Sequence, residues 1–599
     1  MEGQAFPELT PNAVAVLRHR YLLRDENSII VETPEDLFRR VAKNVASANE
    51  FYNDGRSRRS EEEEFYQVMR SLDFLPNSPT LMNAGTPLQQ LAACFVIPIE
   101  DSIESIFEAI KNAAIIHQSG GGTGFSFSRL RPQGDVVRST AGIASGPISF
   151  MRVFDAATEA IKQGGRRRGA SMGILRVDHP DIEAFIHCKD DLRSFPNFNI
   201  SVAATDEFIE RVRRKQEYEL INPRTGKAVG RRDASSIMDQ ICSSALRSGD
   251  PGMIFIDTIN AANPTPDQGP IEATNPCGEV PLLPYEACNL GSINLNRFLI
   301  DDGNYKIDWD RLASIVDVAI RFLDNVIDVS RYPLPAINEV VHGNRKIGLG
   351  IMGFADILLK LGIRYGSKES FEIAERIISF IRDQAIRTSE NIASTRGCFP
   401  RAKGPIMSKR RNATLLSIAP TGTISMIAGC SSGIEPLYAI TYVKHVMEGT
   451  HLQEVNPYFV RVAKERGFFN EVLMEKLARE HSLSRIETIP KDIKEIFVTS
   501  FDIPPLEQVQ MQAIFQKYVD NAVSKTINLP RQSRVEDVRE VFLKAHELGC
   551  KGITVYREGS RPSQVLTSVK FQAPCPDCGS LMRYEEGALV CPACGYATS

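Results

Sequence analysis

The amino-acid sequence predicts an α/β fold whose strands are mostly buried. From about residue 75 to residue 565, short apolar or β-branched runs alternate with long amphipathic helices, which is typical of sheets covered by helices. The chain has 599 residues, more than the roughly 250 to 300 at which a single hydrophobic core stops growing. We therefore expect one large elaborated domain with appendages, or several domains.

Three apolar runs show the predicted strands most clearly, namely ACFVIPI at 93–99, FNISVAA at 198–204 and TLLSIAP at 414–420. In the predicted helices, apolar residues recur every three or four positions. These helices span residues 312–329, 370–393, 506–524 and 535–548, and Gly549 is placed to end the last of them. Near the N-terminus, LFRRVAKNVASANEFY shows the same spacing, so residues 1–70 form a predicted helical segment.

Composition excludes several classes of function. A net charge of -4 gives no electrostatic reason to bind a nucleic-acid polymer or an anionic membrane. The first residues lack a secretory signal pattern, and no run of about 18 apolar residues occurs, so we expect a cytoplasmic protein. Twelve cysteines in a chain of this size are not a disulfide scaffold, and their spacing points to metal or redox chemistry.

The C-terminal residues form a separate predicted module. After Tyr556 the composition changes, and residues 557–574 have the character of a linker. Residues 575–599 contain two CPxCG knuckles with Cys575, Cys578, Cys591 and Cys594. Four thiolates at this spacing can bind structural zinc, and so short a module has too little core to fold unaided. A redox role of the CxxC pairs stays open, while the few basic residues disfavour a nucleic-acid-binding ribbon.

Two glycine-rich loops have the composition of phosphate-binding turns. GGGTG at 120–124 could expose backbone N–H groups, but it lacks the Lys-Ser/Thr ending of a Walker loop. APTGTIS at 419–425 combines a Pro-Thr-Gly turn with hydroxyl groups, as in an anion-binding nest. Each pattern alone is more often a tight turn.

The segment NPCGEV places Asn275, Cys277 and Glu279 two residues apart. In an extended segment this spacing puts the three side chains on one face. A nucleophilic thiolate would need a histidine or a helix N-terminus to lower its pKa, and no histidine is near in the sequence. A thiol beside an acid suits hydrogen-atom chemistry better. The alternative is a buried structural cysteine in a Pro-Gly turn.

Longer motifs make the interpretation specific. NPCGEVPL, followed by ACNLGSINL, resembles the active-site loop of ribonucleotide reductases. Other segments similar to the same family occur in order, namely NSPTLMNAG, ACFVIPIEDS, RRRGASMGILRVDHPDIEAF, APTGTIS, SKTINLP and KGITVYREGSR. More closely, they resemble its adenosylcobalamin-dependent, dimer-type form. The resemblance implies a ten-stranded α/β barrel within residues 71–556, whose finger loop carries Cys277 into the centre.

The resemblance also implies a role for each residue of the loop. Cys277 would form a thiyl radical that abstracts the 3′ hydrogen of a ribonucleotide, Glu279 would take the 3′-hydroxyl proton, and Asn275 would hold the substrate. Cys94 and Cys288 match the cysteine pair that supplies two electrons and becomes a disulfide. Thioredoxin or a similar reductant would restore the pair through the C-terminal cysteines. The product would serve DNA precursor synthesis and repair.

Binding residues are implied in the same way. The substrate phosphates would lie on the APTGTIS and NSPT segments, with Thr421, Gly422, Thr423, Ser425, Ser78 and Thr80 as ligands. A deoxynucleoside triphosphate effector would bind at a homodimer interface and act through a loop of Arg166, Arg167, Arg168, Gly169 and Ala170, which otherwise is a solvated basic turn. The dimer-type resemblance favours ribonucleoside diphosphates as substrates, with control of specificity but no separate activity switch.

The radical source distinguishes the forms of this family. Forms that import the radical from a metal-containing second subunit relay it through adjacent tyrosines, but Tyr556 stands alone in ITVYREGSR. A glycyl-radical terminus is unsupported, since the CGY at 594–596 belongs to a knuckle. Adenosylcobalamin is therefore the expected cofactor, and the subunit-dependent reductase is the alternative. A thiolate hydrolase is far less favoured, because of the nine histidines only His179 lies in these motifs.

Overall fold

The computed structural model describes residues 8–52, 54–137, 141–163, 167–303, 305–446, 450–479, 482–484 and 486–560, and the short strands at 566–567, 583–585 and 588–590. The chain forms two compact units, Met1–Glu435 with Pro504–Pro562 and Pro436–Ile503 with Ser563–Ser599. The larger unit contains the sheet on which the candidate site is built.

Ten strands of the larger unit form one sheet. In chain order they are β1 (Phe74–Pro76), β2 (Cys94–Val96), β3 (Gly122–Ser126), β4 (Ser171–Arg176), β5 (Phe198–Ala204), β6 (Gly252–Phe255), β7 (Ala287–Asn294), β8 (Ile347–Met352), β9 (Thr526–Leu529) and β10 (Gly552–Arg557). Their order in the sheet is β1-β7-β2-β3-β4-β5-β6-β10-β9, and β8 also pairs with β7. From β2 to β6 the strands are parallel, whereas β7 is antiparallel to β2. The strands predicted at 93–99 and 198–204 are confirmed as β2 and β5.

Short bridges close this sheet into a barrel. Leu349 of β8 pairs with Leu416, and Ile418 pairs with Val523 shortly before β9 begins. The strand predicted at 414–420 therefore supplies isolated bridges instead of a continuous strand. The reason is that the carboxylate of Asp520 accepts the N–H groups of Leu415 and Leu416, at 3.0 and 3.1 Å, in place of a strand partner.

Helices surround the barrel and form the N-terminal region. Those of the larger unit are α1 (Pro11–Val16), α2 (Pro34–Ala46), α3 (Arg58–Arg70), α4 (Ser78–Asn83), α5 (Ile103–Gln118), α6 (Pro147–Ala160), α7 (Ile182–His187), α8 (Asp206–Arg214), α9 (Ala234–Ser248), α10 (Ile256–Ala261), α11 (Trp309–Val329), α12 (Pro335–Asn344), α13 (Phe354–Lys360), α14 (Lys368–Arg396), α15 (Gly404–Met407), α16 (Ile424–Ala428), α20 (Pro505–Gln516) and α21 (Val535–Glu547). A π-helical turn, Leu17–Tyr21, follows α1. The predicted helices at 312–329, 370–393 and 535–548 are confirmed. The one at 506–524 ends early, at Gln516, and Asn521 instead donates its N–H to the carbonyl of Leu416 at 3.1 Å.

Several two-stranded hairpins extend from the larger unit. They are Val136–Val137 with Gly142–Ile143, Lys162–Gln163 with Arg167–Arg168, Glu217–Asn222 with Lys227–Asp233, Ala273–Thr274 with Pro281–Leu282, and Leu299–Asp301 with Tyr305–Ile307. The fourth of them contains the motif NPCGEV between its strands.

The smaller unit is built on a three-stranded antiparallel sheet of Thr441–Val446, Thr450–Val455 and Leu566–Thr567. It also contains α17 (Pro457–Glu465), α18 (Glu471–Arg479) and α19 (Lys491–Ile496). A hairpin of Arg583–Glu585 and Ala588–Val590 lies in sequence between the two cysteine knuckles. Cys575, Cys578, Cys591 and Cys594 themselves lie outside the described residues, so their zinc site stays a prediction.

A buried ionic cluster joins segments on the helical side of the barrel. Asp324 of α11 is fully buried and accepts hydrogen bonds from Arg345 at 2.8 Å, Asn412 at 2.9 Å and Arg411 at 3.3 Å. Burial opposes ionisation, but the two arginines outweigh it and hold the pKa of Asp324 below its usual value. Removal of this one carboxylate would leave buried positive charge uncompensated.

Asp324→Asn should destabilise the larger unit by about 3–5 kcal/mol, because Arg345 and Arg411 lose their counter-charge. Urea unfolding followed by circular dichroism measures the difference. Asp383→Asn, on the exposed face of α14, is the control, with an expected change below about 0.5 kcal/mol. Because folding lowers the pKa of Asp324, its contribution should be complete above about pH 4 and be lost as the pH falls through the lowered value. Equal stabilities of the two variants would contradict this role.

Candidate active site

The motif NPCGEV forms the tip of a hairpin. Ala273–Thr274 pairs antiparallel with Pro281–Leu282, and the N–H of Gly278 donates to the carbonyl of Asn275 at 3.0 Å. Pro276 occupies the second position of this turn, and Gly278 has a φ of +80°. Proline and glycine at these positions are favoured in tight turns. We call residues 273–282 the finger hairpin.

Two glycines of β3 make room for the finger hairpin. A Cβ atom added to Gly124 would lie 1.8 Å from the carbonyl oxygen of Thr274, and one added to Gly122 would lie 3.0 Å from Cγ of Pro276. The two backbones are thus closer than any side chain would allow. These glycines of the GGGTG loop lie in a buried strand, so they serve the packing of the hairpin and not the binding of a phosphate.

The turn gives the three side chains of the motif different surroundings. Cys277 at the tip is exposed, whereas Asn275 and Glu279 are 2% and 3% exposed. The expectation that an extended segment puts all three on one face is wrong, because Pro276 and Gly278 fold the segment into a turn. The alternative of a buried structural cysteine is also wrong, since the thiol of Cys277 is accessible.

Asn275 links the finger hairpin to strand β2. Its Nδ2 atom donates to Sγ of Cys94 at 3.1 Å, and its Oδ1 atom accepts the N–H of Val280 at 3.0 Å. The amide is therefore fixed in orientation at both ends. This contact brings the motif next to the first of the two predicted redox cysteines.

Cys94 and Cys288 are brought together by the sheet. They are directly opposed residues of the antiparallel strands β2 and β7, and such residues have Cα atoms about 4.5–5.5 Å apart. A disulfide forms at about 4.4–6.8 Å, so the backbone spacing expected for this pair lies within the range of a disulfide. The two thiols are 3% and 1% exposed, and burial raises the pKa of Cys288. Cys288 is therefore protonated at neutral pH and carries a transferable hydrogen.

Glu279 is held through its main chain. Its carbonyl accepts hydrogen bonds from the Ser417 hydroxyl at 2.9 Å and from the Ala522 N–H at 2.8 Å. Lys551 donates to the carbonyl of Asn521, the residue before Ala522, at 2.8 Å. Burial lowers the pKa of Lys551 to about 8. Two segments that are distant in sequence thus support the residue that carries the carboxylate.

The predicted phosphate residues of APTGTIS differ in accessibility. Gly422 is exposed and Thr423 partly exposed, immediately before helix α16. Thr421 and Ser425 are buried, and their hydroxyls are bonded within the protein, to the N–H of Gly433 at 2.8 Å and to the Ser432 hydroxyl at 3.0 Å. Gly422 and Thr423 are therefore the members of this set that a ligand can reach.

The two predicted hydroxyls of the NSPT segment differ in accessibility. Thr80 is fully buried and its hydroxyl donates to the carbonyl of Leu91 at 3.0 Å, so its contact with substrate stays a prediction. Ser78 is partly exposed and shares a 2.7 Å hydrogen bond with the hydroxyl of Tyr21. The adjacent Arg20 donates to the Thr423 hydroxyl at 3.2 Å. Sequence reasoning missed Arg20 and Tyr21, because no local motif marks them.

The end of the predicted effector loop contacts the strand behind the finger hairpin. The carbonyl of Ala170 accepts the N–H of Thr123 at 3.1 Å. Gly169 packs on His117, whose ring would be 2.9 Å from an added Cβ atom, and Nε2 of His117 lies 2.8 Å from the Thr123 hydroxyl. No motif in the sequence marks His117. The loop is thus coupled to β3 by direct contacts.

Other expected features fall partly beyond the described residues. Arg166 lies outside them, while Arg167–Arg168 forms a short strand paired with Lys162–Gln163. Among the described residues, no group of three or more His, Cys, Asp or Glu side chains could hold a metal ion. No helix in the described part of the chain is both long and apolar enough to cross a membrane.

Two family models match this chain, one in the N-terminal helices and one in the residues that follow them. Residues 92–410 and 406–556 match the model of the ribonucleotide reductase barrel domain. Residues 7–89 match the model of the ribonucleotide reductase all-alpha domain. Together the two matches cover the barrel, the finger hairpin and the N-terminal helices.

Individual proteins extend this similarity. The vitamin B12-dependent ribonucleoside-diphosphate reductase of Thermoplasma acidophilum is 48% identical over 629 residues, covering 95% of this chain and 82% of that protein. The protein of the same name from Mycobacterium tuberculosis is 50% identical over 573 residues, with 95% and 82% covered. The structure of the Actinobacillus ureae class Id ribonucleotide reductase alpha subunit superposes with a TM-score of 0.76 at 24% identity, covering 92% of this chain and 97% of that one, and shares the fold.

Gly124→Ala should displace the finger hairpin, because the added methyl group would overlap the carbonyl of Thr274. Hydrogen exchange followed by mass spectrometry should be faster in residues 273–282, and the free energy of unfolding should fall by about 1–3 kcal/mol. Gly230→Ala is the matched control, since an added Cβ atom there meets no atom within 4 Å. Unchanged exchange in the Gly124 variant would show that the hairpin does not depend on this close approach.

Proposed function

Because this chain belongs to the ribonucleotide reductase family, we propose that it reduces ribonucleoside diphosphates to 2′-deoxyribonucleotides with adenosylcobalamin as its cofactor. One observation carries the proposal. The finger hairpin carries the exposed Cys277 at its tip and is bonded through Asn275 to Cys94, which is buried and directly opposed to Cys288. This arrangement provides one accessible thiol for a radical and two protected thiols for reduction. The proposed role is the supply of deoxynucleotides for DNA synthesis and repair.

The tip of the finger hairpin is open to a large cofactor. Cys277 is exposed, and a Cβ atom added to the next residue, Gly278, would meet no atom within 4 Å. These two residues would face the cofactor. When bound, adenosylcobalamin supplies a radical through homolysis of its cobalt–carbon bond. The accessible thiol hydrogen of Cys277 is then the atom that this chain gives up.

The residues of the hairpin and sheet divide the remaining chemistry among them. The Cys277 thiyl radical takes the 3′ hydrogen atom of the ribonucleotide, and Glu279 takes the proton of the 3′-hydroxyl. Asn275 orients the substrate through hydrogen bonding. The 2′-hydroxyl leaves as water, and the two electrons and two hydrogens come from Cys94 and Cys288, which become a disulfide. The 3′ hydrogen finally returns from Cys277, so each turnover consumes one dithiol.

The alternative is a reductase that imports its radical from a separate metal-containing subunit. That route relays the radical through adjacent tyrosines, whereas β10 carries Tyr556 between Val555 and Arg557. The high identity to two vitamin B12-dependent reductases also favours the cobalamin-dependent form.

The proposed substrate site joins the accessible parts of two loops. Gly422 and Thr423 precede α16, and Ser78 begins α4, so hydroxyl and main-chain groups of these two segments would meet an anion there. Tyr21 and Arg20 bond to Ser78 and Thr423, respectively, which places a guanidinium beside the same region. The diphosphate of the substrate fits this combination of hydroxyl, amide and cationic donors.

Regulation and assembly are proposed from the surface beside the effector loop. Ile103 and Phe107 of α5 and Val153 of α6 are large apolar side chains that are exposed. Exposed apolar groups on two helices that contact each other can form an association surface, and we assign this one to a homodimer. A deoxynucleoside triphosphate effector would bind beside it. Its signal would reach the finger hairpin through Gly169, His117 and β3.

The proposed electron supply uses the C-terminal module. The division into a helical segment (1–70), a catalytic barrel (71–556), a linker (557–574) and a four-cysteine module (575–599) assigns the last part to zinc binding, to thiol exchange with thioredoxin or a similar reductant, or to both. Exchange requires reduced thiols, which fits the proposed cytoplasmic location.

Deoxycytidine diphosphate formation from cytidine diphosphate should depend strictly on adenosylcobalamin. The purified chain is incubated with cytidine diphosphate and a dithiol, with and without the cofactor, and the nucleotides are separated by chromatography. Activity only with cobalamin is the expected result. If activity instead requires an added metal-containing subunit, the alternative reductase is the correct assignment.

Cys277→Ser should abolish product formation while cytidine diphosphate still binds, because the radical thiol is lost and the fold is retained. Cys94→Ser or Cys288→Ser should prevent repeated turnover with thioredoxin, because no disulfide can form. Cys398→Ser is the matched control at an exposed cysteine outside the site and should retain full activity. Sustained turnover by any of the three site variants would remove that cysteine from its assigned role.

A further inference from the structure

Asn199 differs in exposure from the other residues of its strand. Of the seven residues of β5, Phe198–Ala204, only Asn199 is exposed. A polar side chain in this position has a specific partner, because its Nδ2 atom donates to the carbonyl of Pro276 at 2.8 Å. That carbonyl belongs to the peptide group that joins Pro276 to Cys277. A barrel strand thus contacts the finger hairpin one bond before its radical-bearing residue.

Two further contacts at the tip involve other groups of the finger hairpin. The hydrogen bond from Gly278 to Asn275 closes the turn from within. Gly122 of β3 accommodates the ring of Pro276 and restrains it from one side. Cys277 follows this peptide group directly, and it is exposed at the tip of the turn. The orientation of the Pro276–Cys277 peptide group therefore helps to set where the Cα–Cβ bond of Cys277 points.

We propose that Asn199 is a positioning residue for Cys277, an inference that rests on the proposed function. Its amide holds the Pro276 carbonyl and so fixes the peptide group that aims the thiol at the substrate. Hydrogen-atom transfer depends on this aim, since a misplacement of about 1 Å can cost on the order of 100-fold in rate. The role needs a donor, because the partner is a carbonyl oxygen.

The experiment compares Asn199→Ala, Asn199→Asp and Asn199→Gln in the full chain. The aspartate variant keeps the size of the side chain but presents an acceptor to the carbonyl, while the glutamine variant keeps the donor. Asn391→Ala, at an exposed asparagine of α14, is the control. With adenosylcobalamin and cytidine diphosphate, kcat should fall about 10- to 100-fold in the alanine and aspartate variants, with KM changed less than about threefold. The glutamine variant should recover part of kcat.

Two measurements without cofactor complete the test. Calorimetry should give the same Kd for cytidine diphosphate in all variants, and hydrogen exchange in residues 273–282 should be faster in the alanine and aspartate variants alone. Unchanged kcat and unchanged exchange would overturn the proposal. A Kd that rises while kcat holds would also overturn it, because Asn199 would then bind substrate. If the wild-type chain reduces no ribonucleotide, the proposed function fails, and exchange still decides whether Asn199 holds the tip. If the alanine variant unfolds, the isosteric aspartate variant decides.

Discussion

The close approach of strand β3 to the finger hairpin is the constraint on which the site depends. A side chain at Gly124 would overlap the carbonyl of Thr274, so the hairpin packs against β3 only because this position is glycine. The sheet register connects this contact to the two cysteines, because Gly122 is the strand partner of Cys94, and Cys94 is the strand partner of Cys288. Gly122, against which the finger hairpin packs, and the two cysteines therefore form one row across β3, β2 and β7.

Burial divides the chemistry between the cysteines of the site. Cys277 is exposed, as its proposed loss of a hydrogen atom to an external radical requires. Cys94 and Cys288 are almost fully buried, and the pKa of Cys288 is raised by that burial, so this thiol keeps its proton. A protonated thiol is a poor nucleophile but a good source of hydrogen. The fold therefore disfavours thiolate chemistry at Cys288, which agrees with the proposed role of the pair in reducing a bound radical.

Local patterns predicted local structure, and most errors came from distant partners. The helices near 312–329 and 535–548 follow from apolar spacing alone, and β5 follows from its apolar run. The segment 414–420 lost its strand character to Asp520, a residue 105 positions away from Leu415. Motif resemblance predicted the Cys94–Cys288 pair, which spacing alone could not. Arg20 contacts Thr423 across 403 positions, and nothing near either residue in the sequence signals the contact.

The burial that protects the redox pair also limits how it can be reduced. A disulfide between Cys94 and Cys288 would lie at positions that are 3% and 1% exposed in the dithiol form, so a folded protein reductant could not bring its own thiols against it. A narrow peptide that carries a thiol can enter where a globular protein cannot. The terminal CxxC pairs are suited to that task when their thiolates are free, but zinc would occupy the same sulfur atoms. Zinc binding and electron delivery by one set of four cysteines are therefore competing states of the module, and a chain that uses both must release the metal before it transfers electrons.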